Sequence, residues 1–152
     1  MSLLATPLAA LPATTPELLE RLDALQAALV GNEPLDVRTD HVIHAGMYAR
    51  TITAPRDMVL VGVLIKRPTL VILTGSVAVL AGDGWQELAG YNVIPASAGR
   101  KQVYVTRSTV TITMLFPTQA RTVEEAEAEF TDETAVLLSR RQDANTVVIT
   151  GE

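Results

Sequence analysis

Between residues 58 and 80 the chain reads MVLVGVLIKRPTLVILTGSVAVL, with apolar runs at 58–65, 70–73 and 77–80 separated by Lys66-Arg67-Pro68-Thr69 and by Gly75. Each run is too short for a helix and rich in Val, Ile and Thr, so the pattern predicts buried strands meeting at turns. The same signal continues on both sides and predicts strands near Val37 and at 47–53, 59–65, 70–74, 77–80, 85–88, 91–94, 102–106 and 109–115. Gly82-Asp83-Gly84 supplies positions tolerant of positive φ and predicts a hairpin. Many short strands punctuated by Gly, Pro and Asp point to a barrel or sandwich over residues 35–117.

The flanks carry a different rhythm. Residues 1–14 are small, apolar and broken by Pro7 and Pro12, which predicts an extended arm. Thr15 then suits an N-cap and Pro16 the first helical position, while Leu18, Leu22, Leu25 and Leu29 fall on one face before Gly31, so 15–31 is expected as an amphipathic helix. Beyond Pro117, Thr122 followed by Glu125 has the spacing of a capping box and opens a helical segment over 122–140, with a break near Thr131-Asp132. The last stretch, 141–152, holds the β-prone Thr146-Val147-Val148-Ile149-Thr150 after a polar linker, and a lone strand must find an edge to pair with.

Composition narrows the function classes. With 48% hydrophobic residues, 19% charged and 4% aromatic, this is a globular chain whose core is filled by Val, Leu, Ile and Ala. A net charge of -5 and a pI of about 5.0 argue against direct binding to nucleic acid or an anionic membrane. The absence of cysteine removes disulfides, thiolate metal sites and thiol nucleophiles together. No apolar run approaches the roughly 18 residues of a membrane span, and Pro7 and Pro12 interrupt any leader-like segment, so a soluble chain is expected.

Gly46-Met47-Tyr48-Ala49-Arg50, then Pro55, Gly62, Gly75, Tyr91 and Gly99, stand in an order and spacing that resembles a family of short phage-encoded, cupin-like proteins, over roughly residues 17–130. The resemblance implies a mainly β fold, a cupin-like jelly-roll barrel with an N-terminal amphipathic helix and a short C-terminal helical segment. Cupins as a class hold a divalent metal with histidines and a glutamate on inner strands. Here Ile65, Arg67 and Thr69 stand where ligands would be expected, and no histidine follows His44, so the fold carries over while the metal site does not.

The remaining chemistry-bearing residues each have a plain structural alternative. His41 and His44, beside Asp40, are spaced by three, which in an extended chain points them to opposite faces, and they read as surface or interface residues. Thr51, Thr53, Thr109, Thr111 and Thr113 alternate as on a pleated face, not as nucleophiles. The acidic run Glu124, Glu125, Glu127, Glu129, Asp132 and Glu133 reads as a solvated helix face. Lys66, Arg67, Arg100 and Lys101 read as a wet rim at one barrel mouth. Tyr91, Tyr104, Arg50, Arg107 and Lys101 are the polar groups available to a barrel site.

The expectation is therefore a non-enzymatic phage structural protein without cofactor or metal. It would be a capsid-decoration or cement subunit of the virion, made in the host cytoplasm. Its partners would be itself, as a dimer or trimer, and other virion proteins such as a major capsid protein, with no direct contact to nucleic acid or membrane. The predicted interface residues are Leu18, Leu22, Leu25 and Leu29 of the helix stripe and Val147, Val148 and Ile149 of the terminal strand. Two alternatives stand beside it: a metal-free, cupin-like small-molecule-binding protein or enzyme, and a host-directed inhibitor acting through the acidic helix.

Overall fold

A computed structural model of the chain describes residues 10–29, 36–81, 84–141 and 145–151. Three segments with predicted features lie outside them in whole or part: the start of the arm (1–9), the turn at 31–34, and the linker at 142–144. The tip of the predicted hairpin, residues 82 and 83, lies outside them too.

The helix α1 (Pro16–Leu29) starts where expected, with Leu18 N–H donating to the Thr15 hydroxyl at 3.3 Å. Ten strands follow in part as predicted: β1 (Arg38–His44), β2 (Met47–Ala54), β3 (Val59–Val61), β4 (Thr69–Thr74), β5 (Val77–Ala81), β6 (Gly84–Leu88), β7 (Tyr91–Ala96), β8 (Val103–Thr106), β9 (Val110–Pro117) and β10 (Asn145–Ile149). Between β9 and β10 lie α2 (Val123–Phe130), a 3-10 turn (Thr134–Val136) and α3 (Leu138–Arg141). No helix among the described residues is long and apolar enough to cross a membrane.

The strands form two sheets, ordered β10-β1-β2-β9-β4-β7 and β3-β8-β5-β6. Counting β2 to β9 as one to eight, the sheets run 1-8-3-6 and 2-7-4-5, which is the strand order of a jelly roll. Alternation decides the inner face of the larger sheet. The register places His41, Arg50, Met114, Val71 and Ile94 side by side across five strands, and all five are buried. One part of the core gathers Leu11, Leu73, Val77, Val79 and Leu88, and another Tyr48, Phe116, Phe130 and Leu137.

Several elements differ from the sequence reading for identifiable reasons. The segment 59–65 is a strand only over β3, because Gly62 to Ile65 turn to meet the C-terminal segment: Leu64 N–H donates to Glu133 Oε1 at 2.7 Å, and the Thr131 hydroxyl to Leu64 O at 2.8 Å. The strand foreseen near Val37 extends to His44 and turns into β2 through Ala45 and Gly46, both at positive φ, the geometry of a tight two-residue hairpin. Gly75 has a φ of +117°, and a Cβ there would lie 2.6 Å from Thr109 O, so only glycine fits this turn.

The termini are sewn onto the chain's own barrel. Leu11 is 1% exposed, donates from its N–H to Pro95 O at 2.9 Å and accepts from Ser97 N–H at 2.8 Å, so residues 10–14 pack where an arm alone was expected. β10 pairs in parallel with β1, from Thr39 opposite Asn145 to Ile43 opposite Ile149. The edge that the terminal strand adds to is that of its own sheet, which corrects the expectation that it reaches for a neighbour's.

Candidate functional site

The barrel encloses a cavity of about 130 Å³. Its walls come from inward positions of four strands and two strand extensions: Arg50 and Ile52, Val61 through Ile65, Val71, Ile112 and Met114, and the alternating trio Arg100, Gln102 and Tyr104. Phe130, Val136 and Leu137 of the C-terminal segment close one end. A mostly apolar hollow with a few convergent polar groups is the general form of a small-molecule site.

The polar groups differ in how well they are satisfied. Arg50 is 5% exposed and fully engaged: its Nη1 lies 3.1 Å from Glu127 Oε2 and donates to Ser139 Oγ at 3.1 Å. Ser139 Oγ in turn donates to Glu127 Oε2 at 2.6 Å, and Arg140 Nε reaches Glu127 Oε1 at 2.8 Å. Glu127, 1% exposed, is therefore the hub of a buried ion network and not part of a solvated acidic face. Burial pushes its carboxyl up, but the hydrogen bonds from Ser139 and Arg140 and the charge of Arg50 hold it below the ordinary 4.5.

Arg100 is different. It is 2% exposed, and its guanidinium donates to Ser97 O at 2.9 Å, to the Thr69 hydroxyl at 2.7 Å and to Met114 Sδ at 3.7 Å, all neutral. No carboxylate of the described residues pairs with it. Burial pulls its pKa down, partly offset by Tyr104, and pushes the Tyr104 phenol up to about 12. Two residues on, Gln102 is 5% exposed and its Oε1 is buried without a hydrogen-bond partner.

The predicted wet rim at Lys66, Arg67, Arg100 and Lys101 is mostly interior. Lys101 points the opposite way from Arg100, and its Nζ donates to Asp23 Oδ1 and Gln26 Oε1 of α1, each at 2.6 Å. Arg67 lies flat over the Phe116 ring, 4.2 Å from its centroid, and only Lys66 is exposed, paired with Asp132 at 2.7 Å. Of the other polar candidates, Arg50 and Tyr104 line the cavity, whereas Tyr91 is 69% exposed and Arg107 forms a surface pair with Glu87.

The histidines separate as their spacing requires. His44 is exposed and bonds the Thr150 hydroxyl at 2.7 Å, while His41 is 2% exposed, a core residue where a surface one was expected. Its Nε2 lies 3.0 Å from Asn145 Oδ1 and its Nδ1 2.7 Å from the Tyr48 hydroxyl, an arrangement that assigns the proton to Nε2. Neither ring nitrogen faces a serine or threonine, so no nucleophile–base pair forms there.

The positions expected for metal ligands hold hydrocarbon at Ile65, a ring-stacked cation at Arg67, and a hydroxyl already accepting from Arg100 at Thr69. Among the described residues no three His, Cys, Asp or Glu side chains converge on a metal position. A buried guanidinium beside the cavity would also repel a divalent cation, so the donor set does not fit one.

The predicted interface residues fall in different places. Leu22 is buried, Leu18 and Leu29 are half-buried, and Leu25 is 38% exposed. Val148 lies on the outer face of the larger sheet beside Val42, whereas Val147 and Ile149 share the inner side with His41 and Ile43. Sequence reasoning missed Gln102, Glu127 and Ser139. The spacing Arg100, Gln102, Tyr104 along a strand run was the available signal for the first, since alternate residues face one way.

No protein-family model matches the sequence, and neither does any curated protein. Solved structures do. A cupin superfamily protein from Desulfitobacterium hafniense is similar at 12% identity and a TM-score of 0.45, covering 61% of this chain and 87% of that one. The fold is cupin-like. A conserved protein of unknown function from Streptococcus pyogenes is similar at 10% identity and a TM-score of 0.43, over 58% of this chain and 79% of that one. Salicylate 1,2-dioxygenase from Pseudaminobacter salicylatoxidans is similar at 10% identity and 0.47, over 81% of this chain and 40% of the enzyme. At such identities the likeness concerns the fold alone.

Acid should weaken the protein in two stages. Burial holds His41 below its ordinary 6.5, so the unfolded chain takes up a proton in a range where the folded one does not. That stability is present above about pH 6.5 and declines as the pH falls below it. Glu127, held below 4.5, contributes fully above that value and is lost as the pH falls through its folded-state pKa. Thermal unfolding from pH 8 to 3 should show a shoulder beginning near 6.5 that disappears in His41→Gln, followed by a steeper fall below 4.5.

Proposed function

We propose that the protein is a non-enzymatic, metal-free binding module that holds a small molecule inside its jelly roll. The observation that carries this reading is the cavity of about 130 Å³ whose wall contains an uncompensated guanidinium and an unsatisfied amide oxygen. Buried polar groups are normally paired, and those left open around a hollow are groups waiting for a partner. Among the described residues, no His, Asp, Glu or Ser lines that cavity, so it offers neither the acid–base pair nor the activated nucleophile of an enzyme.

The test is a methyl-resolved NMR screen of small organic probes against protein stripped of metal with a chelator. Probes should shift the methyl signals of Ile65, Val71 and Ile112. Binding that appears only after a transition metal is restored would overturn the reading.

A structural role draws on a second surface. The register sets Val148, Val42, Ala49, Leu115, Leu70 and Pro95 in one row across the outer face of the six-stranded sheet. The next row is Thr146, Asp40, Thr51, Thr113, Ile72 and Val93. From β2 to β7 both rows are uncharged, and Thr51 and Thr113 bond each other across the strands at 2.7 Å. A flat, uncharged face of this kind suits a second copy of the chain, and in a decoration or cement subunit it would take the place of terminal arms. Sedimentation should show a dimer or trimer that Leu115→Lys converts to monomer; a wild-type monomer at all concentrations would remove this role.

A further inference from the structure

The cavity described above has a chemistry of its own, and the following step rests on its being a ligand site. Arg100, Gln102 and Tyr104 project from one extended run into the same hollow, and each presents an open valence. Arg100 brings a permanent positive charge, held in place by Ser97 O and the Thr69 hydroxyl and met by no carboxylate among the described residues. The other cation at the wall, Arg50, is already neutralised by Glu127. The net demand of the site is thus for one negative charge at Arg100.

Gln102 makes the opposite demand. Its orphaned Oε1 accepts hydrogen bonds and has none to accept, so it calls for a donor. A plain carboxylate satisfies the arginine and leaves this oxygen empty; a neutral alcohol does the reverse. The Tyr104 hydroxyl, which stays protonated with its pKa at about 12, adds a donor on the same side. The facing wall, from Ile52, Val61, Val63, Val71 and Ile112, offers only hydrocarbon.

Size sets the last limit. An engineered protein cavity of about 150 Å³ holds benzene, so the roughly 130 Å³ here fits a molecule of about six non-hydrogen atoms. We propose that the barrel binds a short hydroxy-carboxylate monoanion, its carboxylate on Arg100, its hydroxyl donating to Gln102 Oε1, and its small hydrocarbon part against the facing wall. The carboxylate is favoured over inorganic phosphate because a single guanidinium balances one charge, and an apolar wall offers a tetrahedral dianion nothing in exchange for its lost hydration.

Isothermal titration calorimetry and thermal-shift measurements on the full chain with glycolate, L-lactate, propionate, inorganic phosphate and toluene test this. Glycolate and L-lactate should bind one per chain and raise the melting temperature, and propionate should bind at least about tenfold more weakly, because a site built for a hydroxyl rejects the analogue that lacks it. Gln102→Leu should reverse that order, weakening lactate and strengthening propionate, a crossover that a merely unfolded variant cannot produce. Arg100→Gln should abolish binding of both acids. Tighter binding of phosphate than of lactate, or an unchanged order in Gln102→Leu, would overturn the assignment. Binding of toluene alone would overturn it while leaving the cavity a ligand site, and no binding by any probe would remove both.

Discussion

Replacing Glu127 with alanine is expected to cost about 3–5 kcal/mol, the usual penalty for removing one partner of a buried ion pair. Arg50 is left 5% exposed with no carboxylate, and Arg140 and Ser139 lose their common acceptor. In a domain of this size each kcal/mol lowers the melting temperature by roughly 2–4 °C, so a fall on the order of 10 °C should appear in calorimetry. The penalty comes from the stranded charge more than from the lost attraction. The double variant Arg50→Met with Glu127→Met should therefore recover most of the loss, since well-packed hydrocarbon often replaces a buried pair at little net cost. A single-variant loss under about 1 kcal/mol would show that the network is open to water.

Phe130→Ala is expected to cost a similar amount, about 3–5 kcal/mol, as for other fully buried phenylalanines. The ring is 1% exposed, stacks near-parallel with Tyr48 at 6.3 Å between centroids and meets Phe116 edge-on at 6.1 Å. It also carries the Arg50 guanidinium on its face, 5.5 Å from the centroid. Because Phe130 is part of the plug at one end of the cavity, its loss should both destabilise the fold and enlarge the hollow. Urea unfolding should show the lowered midpoint, and Phe130→Leu should restore more than half of it. An unchanged midpoint would mean that the C-terminal segment does not seal the barrel.

The strands were legible wherever apolar and β-branched residues alternated with nothing else, as in β4, β5 and β9. β1 was not, because its inward positions are Thr39, His41 and Ile43, and a histidine in the middle of an apolar face hides the period. The barrel was likewise legible, while the polarity of its interior was not. Arg100 and Lys101 look like any exposed basic pair in sequence, and what buries them lies far along the chain: Thr69 and Met114 for the first, Asp23 and Gln26 for the second. Glu127 hides in the same way among exposed glutamates, although the helical spacing of Val123, Glu127 and Phe130 puts it on the buried side of α2.

The parallel pairing of β10 with β1 also has a kinetic side. The two strands are separated by roughly 100 residues, so their contact closes one of the longest loops in the chain and belongs to the slow class of folding events. During synthesis at about 5–20 residues per second, β1 waits on the order of 5–20 s with an open hydrogen-bonding edge before its partner is made. For that interval the nascent chain carries an unprotected strand, and the residues on it that face water, Arg38, Asp40 and His44, are the polar and charged kind that discourage a stray edge from pairing with another chain.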